Sequence, residues 1–369
     1  MSDRFIPWAE PSLWGNEEAY VVDALRSTWI SGGPYVERFE RDLASYLGVR
    51  HAVAVANGTA ALHLAYLALG INPNDEIIVP GFAFMAAANI AVQMRARPTF
   101  SDVDPATWCL HAEDVRPLIS PRTKAIVTVH TYGNMCAMSE LLDLADRHGI
   151  PVIEDTAEAL GSSMSSRQAG TFGAIGTFSF HATKSLTTGE GGMLVTQSDE
   201  LADSVRLYRS HGLRRSRHYW HEVPGHNFRL TNLQAALGCA QFENFERMAR
   251  ERQRVVAAYA QHLAGVRGIT MQKITSECTP LIWAVAVQLD PASFPHGRDA
   301  VMNAMYTAGV ETRPGFQPPS QMNYLSSAPL PTSEKLGAWV LSLPTSPTLA
   351  DQEIERVCGL LAAIRERGV

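Results

Sequence analysis

The segment from Thr177 to Gly192 places a lysine, Lys184, directly before a run of small, hydroxylated and glycine residues. Residues 177–184 alternate apolar and polar side chains, which predicts a strand, whereas the glycine-rich run predicts a loop. A lysine at such a junction can point into a cleft. Most strand lysines extend their ammonium group to solvent instead, so Lys184 alone leaves both interpretations open.

Asp155 follows the short apolar run 151–153 and so would lie at the carboxyl end of a strand. Ligands of open parallel sheets bind at that end, and a buried carboxylate needs a cationic partner. Pyridoxal phosphate chemistry needs a carboxylate that holds a protonated pyridine nitrogen and a lysine that forms a Schiff base. Asp155 and Lys184 can meet these needs, although a helix cap or a surface ion pair is an alternative for Asp155.

Two segments offer hydrogen-bond donors for a phosphate group. Gly58 and Thr59 lie where a predicted strand turns into a predicted helix. Glycine lets the backbone approach a ligand closely, and a helix N-terminus presents free N–H groups. An ordinary turn capped by Thr59 is the alternative. Ser179, on the strand that leads to Lys184, can add a hydroxyl donor, although most strand serines bind no ligand.

An aromatic residue and a second carboxylate complete the set of candidates. Phe84 begins the helix that is predicted after a strand ending at Pro80, where a ring can stack on a planar cofactor. A place in the core is the usual role of a phenylalanine. Glu158 lies one predicted helical turn after Asp155, where it can reach a phenolic oxygen of the cofactor or interact with the helix dipole.

The composition favours a folded protein of one large and one smaller domain. Its 369 residues are 46% apolar and 18% charged, and the net charge of -6 is spread without long runs, which argues against a nucleic-acid surface. Five widely spaced cysteines indicate neither a zinc site nor a disulfide framework. The N-terminus lacks a signal-peptide pattern and no apolar run is long enough to span a bilayer. We therefore expect a cytoplasmic protein without nucleic-acid, membrane or metal partners.

Helices and strands alternate over most of the first 245 residues, which predicts an α/β fold with a mostly parallel sheet flanked by helices. The predicted elements are a helix at 34–48, a strand at 51–57, a helix at 59–70, a strand at 76–80, a helix at 84–94, a strand at 123–130, a helix at 138–149, a strand at 151–154, one long helix from 230 to 263, a strand at 281–289, and helices at 298–308 and 352–367. We expect a large cofactor-binding domain at 1–245 and a small C-terminal α/β domain, with an antiparallel component, at 246–369.

Several segments together resemble the sugar-nucleotide aminotransferases of the DegT/DnrJ/StrS family. The matching segments are Ser27-Thr28-Trp29-Ile30-Ser31-Gly32-Gly33, Glu154-Asp155-Thr156-Ala157-Glu158-Ala159-Leu160-Gly161, Phe178-Ser179-Phe180 with Lys184 and its glycine-rich tail, and Asn227-Phe228-Arg229-Leu230-Thr231-Asn232. They occur in the order of the family and extend from about residue 6 to the C-terminus. The resemblance implies the fold-type I architecture of pyridoxal 5′-phosphate enzymes and a homodimer with active sites at the subunit interface.

The resemblance also implies a role for each candidate residue. Lys184 would be the Schiff-base lysine and general acid/base, and Asp155 would hold the pyridine nitrogen. Phe84 would stack on the ring, and Glu158 would lie beside the phenolic oxygen, where many relatives carry Gln or His. The phosphate would be bound by Gly58, Thr59 and Ser179, and by Asn227 from the neighbouring subunit.

Within the family the chain is most similar to the GDP-perosamine synthases, which implies L-glutamate as amino donor and a keto sugar nucleotide, GDP-4-keto-6-deoxymannose, as acceptor. His181 and Gly315-Phe316-Gln317 depart from the aromatic residues expected there. Candidates for contacts with the sugar or the diphosphate are Trp29, Ser31, His181, Arg229 and Arg313.

Three alternatives stay open at this point. One is amination of another keto sugar nucleotide, dTDP- or UDP-linked, at C3 or C4. A second is a sugar 3-dehydratase, although relatives with that activity carry His where Lys184 stands. A third is a non-catalytic, cofactor-binding regulatory protein, which the intact set of Lys184, Asp155 and Ser179 disfavours.

Overall fold

The computed structural model describes residues 4–214 and 217–368, and all structural statements refer to them. The strands in these ranges are β1 His51–Val55, β2 Glu76–Pro80, β3 Arg97–Ser101, β4 Thr123–Val129, β5 Val152–Asp155, β6 Ser163–Met164, β7 Arg167–Gln168, β8 Ile175–Ser179, β9 Gly192–Thr196, β10 Ile269–Met271, β11 Cys278–Thr279, β12 Ala286–Leu289, β13 Arg313–Pro314 and β14 Val340–Ser342.

The α-helices in the same ranges are α1 Glu17–Arg26, α2 Pro34–Leu47, α3 Gly58–Ala68, α4 Ala86–Gln93, α5 Ala112–Val115, α6 Met138–His148, α7 Asp199–Arg209, α8 Asn232–Glu243, α9 Phe245–Leu263, α10 Gly297–Thr307, α11 Pro331–Trp339 and α12 Asp351–Glu366. None of them combines the length and the apolar character that crossing a lipid bilayer requires.

A seven-stranded sheet forms the centre of the large N-terminal part, in the order β1-β9-β8-β5-β4-β2-β3. The strands from β3 to β8 in this order pair in parallel, and β9 runs antiparallel to both of its neighbours. This arrangement confirms the predicted α/β fold with a mostly parallel sheet. It also brings the carboxyl ends of β2, β4, β5 and β8 to one edge, which is where such sheets bind ligands.

Both faces of this sheet are covered by helices, as the apolar composition of its strands requires. Successive side chains of a strand point to opposite faces. Val53 and Val55 accordingly join a core with α3, α4 and α7, whereas Ala52 and Ala54 pack in a core with α2 on the other side. Helix α6 covers the same second face further along the sheet.

A second sheet, in the order β10-β12-β14-β13, is antiparallel throughout and belongs to the C-terminal part. Buried side chains of α9, α10 and α12 pack on it in a core of their own. This agrees with the expected antiparallel component. The proposed division of the chain between residues 245 and 246 stays a prediction.

Several predicted boundaries are wrong for local reasons. The strand predicted through Lys184 ends at Ser179, because the Lys184 N–H turns back to the His181 carbonyl at 2.8 Å. Instead of a helix, turns follow Asp155, and the predicted strand at 281–289 begins only at Ala286. The predicted helix 230–263 is two helices, because Asn244 leaves the helical conformation between α8 and α9.

A buried carboxylate, Glu154, organises the loop that leads into the amino end of β8. Its oxygens accept the N–H groups of Gly170, Phe172 and Gly173 at 2.8, 2.6 and 2.6 Å. The His130 Nε2 lies 3.1 Å from the same carboxylate. All hydrogen-bond capacity of a carboxylate is acceptor capacity, so Glu154 satisfies several buried donors at once.

We expect Glu154→Gln to lower the free energy of unfolding by about 3 kcal/mol, because its amide NH₂ would face N–H donors that then lose their acceptor. Urea unfolding followed by tryptophan fluorescence measures the change. Glu355→Gln on the exposed face of α12 is the control, with an expected change of about 0.5 kcal/mol or less. Equal stability of the two variants would contradict the role of Glu154.

Candidate active site

A cavity of about 790 Å³ opens at the carboxyl edge of the central sheet. Its wall combines residues of β5, β8 and the start of α3 with residues of the C-terminal part. The lining residues are Trp8, Asn57, Gly58, Thr59, Ala60, Leu62, His63, Phe84, Ala86, Ile90, Gln93, Val129, Asp155, Ala157, Glu158, Ser179, His181, Thr183, Lys184, Glu190, Phe228, Trp283, Arg313 and Phe316. The volume lies within the range of small-molecule and cofactor sites.

Lys184 lies in the turn after β8 and extends into this cavity, with 14% of its side chain exposed. Its Nζ is 3.7 Å from Oε1 of Glu158 and 3.7 Å from the centre of the Trp283 ring. Burial lowers the pKa of Lys184, and the nearby carboxylates of Glu158 and Asp155 oppose that effect. The turn thus holds an amine that reaches its neutral, nucleophilic form more readily than an exposed lysine does.

Asp155 is the last residue of β5 and lies on the floor of the cavity, 7% exposed. Its Oδ1 accepts the Ala157 N–H at 3.1 Å. No lysine, arginine or histidine of the described part of the chain lies within the 4.0 Å ion-pair distance of its carboxylate. Burial therefore raises the pKa of Asp155, and the charge of Lys184 opposes this only from a longer range.

Glu158 is buried in the turns that follow β5, beside Lys184. Its Oε2 accepts the backbone N–H of Tyr132 at 2.7 Å. Tyr132 has a φ of 60°, a left-handed conformation that is costly for a bulky residue and that aims its N–H at the carboxylate. Burial raises the pKa of Glu158, and Lys184 opposes the shift.

The expected phosphate donors lie together where α3 begins. Asn57, rather than Thr59, caps this helix by accepting the Ala60 N–H at 2.8 Å. A Cβ built on Gly58 would lie 3.0 Å from the Cβ of Ser179, so glycine permits the close contact that brings this hydroxyl to the helix. The first N–H groups of a helix have no partner inside the helix, which leaves donors for an anion.

Phe84 lies at the rim of the cavity with 66% of its surface exposed. The sequence predicted that Phe84 begins the helix, and this is wrong, because α4 begins two residues later at Ala86. Its ring meets the edge of Phe316, with 6.5 Å between the ring centres. An exposed ring in a cavity offers a face on which a planar ligand can stack.

Two of the predicted substrate contacts, His181 and Arg313, line the cavity. The Nδ1 of His181 accepts the Thr183 N–H at 3.3 Å, and its Nε2 is 3.8 Å from Oε1 of Glu190. Arg313 pairs with Glu311 at 2.5 Å. The side chains of His181, Glu190 and Arg313 are exposed in the cavity wall, where a ligand can reach them.

The other predicted contacts lie outside this cavity in the single chain. Asn227 accepts a hydrogen bond from Arg229 at 3.1 Å. The backbone carbonyls of Trp29 and Ser31 accept N–H groups of Asn232 at the start of α8. These four residues therefore do not contact the Lys184 cavity of their own chain.

Sequence patterns missed two aromatic residues of the cavity wall, Trp8 and Trp283, as site residues. They lie far from Lys184 in the sequence, and Trp283 is part of an apolar segment that is typical of a core. No local signal distinguishes them from ordinary core aromatics. Glu190 belongs to the glycine-rich motif after Lys184, and its position in that motif is a signal that could have identified it.

These groups fit pyridoxal phosphate, the cofactor that the sequence resemblance implies. Asp155 is a buried carboxylate without a nearby protein cation, which suits a protonated pyridine nitrogen. Lys184 is an amine of lowered pKa, which suits bonding to an aldehyde. The start of α3 and Ser179 supply donors for a phosphate. The cavity also leaves room for a substrate beside such a cofactor.

Comparisons with known proteins agree with this chemistry. The profile of the DegT/DnrJ/EryC1/StrS aminotransferase family matches residues 11–362. The GDP-perosamine synthase of Caulobacter vibrioides is 41% identical over 358 residues, covering 96% of both chains. That of Vibrio cholerae is 37% identical and covers 96% of this chain and 98% of its own.

A solved structure has the same fold. The aminotransferase TlmJ from Streptoalloteichus hindustanus superposes with a TM-score of 0.93 at 32% identity, covering 98% of this chain and 99% of its own. Fold, cavity and sequence similarity thus agree along nearly the whole chain. The chain belongs to the DegT/DnrJ/EryC1/StrS aminotransferase family, whose members are pyridoxal 5′-phosphate enzymes.

Proposed function

We propose that this aminotransferase transfers the amino group of L-glutamate to C4 of GDP-4-keto-6-deoxymannose and so forms GDP-perosamine. The observation that carries the proposal is its identity of 41% and 37% with two GDP-perosamine synthases over 96% of its length. The proposal names a sugar and a carbon atom, whereas the family alone supports only the reaction type.

In this proposal the cofactor supplies an aldehyde for the amino group and a ring that accepts electrons. Asp155 would hold the ring nitrogen by its carboxylate, and Phe84 would stack on the ring. Gly58 and Thr59 at the start of α3, together with Ser179, would hold the phosphate. The burial of Asp155 and the close approach of Gly58 to Ser179 support these roles.

Lys184 would be the residue that bonds to the cofactor aldehyde, and its free amine would carry the proton of the amino donor. A lysine acts as a base only when its amine is neutral, and burial shifts its pKa in that direction. Glu158 lies beside the lysine and would contact the phenolic oxygen of the cofactor. Burial raises the pKa of Glu158, and in its protonated form the carboxyl would donate a hydrogen bond to that oxygen.

The substrate would enter above Lys184, where His181 and Arg313 offer polar contacts. We further propose a homodimer in which the partner subunit completes each site, with Asn227 contacting the phosphate across the interface. The position of Asn227 outside the cavity of its own chain is consistent with that role. Trp29, Ser31 and Arg229 would likewise contact substrate only in the dimer. We also propose a cytoplasmic location, as the sequence predicted.

We expect Lys184→Ala to abolish turnover and to remove the visible absorbance that arises from the bond between lysine and cofactor. The loss should exceed about 1,000-fold, because the variant lacks both nucleophile and base. Absorbance spectra of the purified protein and product assays with L-glutamate measure the change. Lys335→Ala, at an exposed position of α11, is the control with normal activity. Retained colour and turnover in Lys184→Ala would rule out this assignment.

We expect the GDP-linked 4-keto sugar to be the best acceptor in a panel that also contains dTDP- and UDP-linked 3-keto and 4-keto sugars. Its kcat/KM should exceed that of the others by about tenfold or more, since the site must recognise several polar groups of the nucleotide. Mass and NMR analysis of the product locates the new amine. An amine at C3, or preference for another nucleotide, would overturn the substrate while leaving aminotransfer intact.

A further inference from the structure

Arg252 on α9 is a buried cation with an unusual environment. It is 5% exposed, and no carboxylate of the described residues lies within the 4.0 Å ion-pair distance. Its Nη1 donates to the backbone carbonyls of Trp283 and Thr345 at 2.8 and 3.1 Å, and its Nε has no partner. Burial lowers the pKa of Arg252 to about 10. Burying a charge without an opposite charge costs free energy, and here only backbone carbonyls offset that cost.

Trp283, whose backbone carbonyl accepts a hydrogen bond from Arg252, is held by further hydrogen bonds and ring contacts. Its backbone N–H donates to the Tyr132 carbonyl at 2.9 Å, and its indole N–H donates to the Thr183 carbonyl at 2.6 Å. The ring of Tyr132 stacks on it at an interplanar angle of 17°, and Trp8 meets it edge-on with 5.4 Å between the ring centres. The indole therefore has one orientation, set by both parts of the chain.

The face of this indole that lines the cavity is in contact with the lysine. Lys184 Nζ lies 3.7 Å from the centre of the Trp283 ring, a distance at which the ring contacts the amine and attracts it electrostatically when the amine is protonated. Lys184 and Arg252 also line one small cavity together with Thr183 and Trp283. The hydrogen bond to Thr183 ties the indole to the residue just before the lysine, so the two cannot move apart independently.

We propose that Trp283 is a positioning residue that holds the amine of Lys184 whenever the lysine is not bonded to the cofactor, and that Arg252 keeps Trp283 in place from behind. The proposal rests on the proposed role of Lys184 as the proton carrier. A free lysine side chain has many conformations, and a small misplacement of a catalytic group slows a reaction strongly. A fixed aromatic face restricts the amine to one side of the cavity.

In the first test, cofactor-loaded protein is mixed with L-glutamate that carries either protium or deuterium at Cα. The rate at which the visible absorbance is lost is measured. We expect Trp283→Leu to slow this step about tenfold or more and to increase the deuterium isotope effect. The apparent Kd for glutamate should change less than about threefold, since proton transfer rather than binding is impaired. Trp283→Phe keeps an aromatic face and should largely restore the rate.

The second test needs no cofactor. Cofactor-free protein is pulse-labelled with acetic anhydride, and mass spectrometry compares the labelling of Lys184 with that of exposed Lys335. We expect Trp283→Leu and Arg252→Met to change this ratio about threefold or more because the amine loses its position, and Trp283→Phe to leave it near the wild-type value. Arg252→Lys should fall between Arg252→Met and wild type.

A wild-type isotope effect and a wild-type labelling ratio in Trp283→Leu would overturn the proposal. If the melting curve shows that Trp283→Leu does not fold, the same measurements on Arg252→Met test the proposal. A wild-type isotope effect and labelling ratio in Arg252→Met would then contradict the roles proposed for Arg252 and for the fixed indole. Failure of loaded wild-type protein to react with L-glutamate would instead contradict the proposed function. The labelling ratio in cofactor-free protein would still test the contact between Trp283 and Lys184.

Discussion

The site depends on the cost of burying three ionisable side chains together. Asp155, Glu158 and Lys184 all lie at one edge of the central sheet. Burial raises the pKa of the two carboxyl groups and lowers the pKa of the lysine, so it disfavours the charged form of each. One lysine does not balance two carboxylates, and Asp155 has no cation within 4.0 Å among the described residues. In the proposed function the pyridine nitrogen of the cofactor supplies the missing positive partner. The same burial that costs stability prepares the lysine to act as a base.

The surrounding structure keeps these groups in place. β5 ends at Asp155, and the Glu154 carboxylate anchors the loop at 170–173, which leads into the neighbouring strand β8. Tyr132 adopts a strained backbone conformation that lets its N–H bind Glu158. The C-terminal part contributes Trp283, which contacts Lys184 directly. Both sheets therefore shape one site, and neither would form it alone.

Local sequence patterns predicted what depends on local structure. Asp155 after an apolar strand, and Gly58 where a strand turns into a helix, were placed correctly because strand and helix ends are encoded nearby. The strand predicted through Lys184 was wrong, because a single turn hydrogen bond ends it early. Trp283 was not predicted at all, because it reaches the site only through packing between distant segments. The proposed role of Asn227 would depend on a second subunit, which no pattern in one chain can position.

The pyridine nitrogen of the bound cofactor offers the most direct test of this account. Enzyme loaded with cofactor that carries ¹⁵N at this position can be observed by NMR, because the ¹⁵N chemical shift distinguishes a protonated from an unprotonated ring nitrogen. The account predicts a protonated nitrogen in the wild-type enzyme at neutral pH and an unprotonated one in Asp155→Ala. An unprotonated nitrogen in the wild-type enzyme would contradict the pairing with Asp155 on which the rest of the site depends.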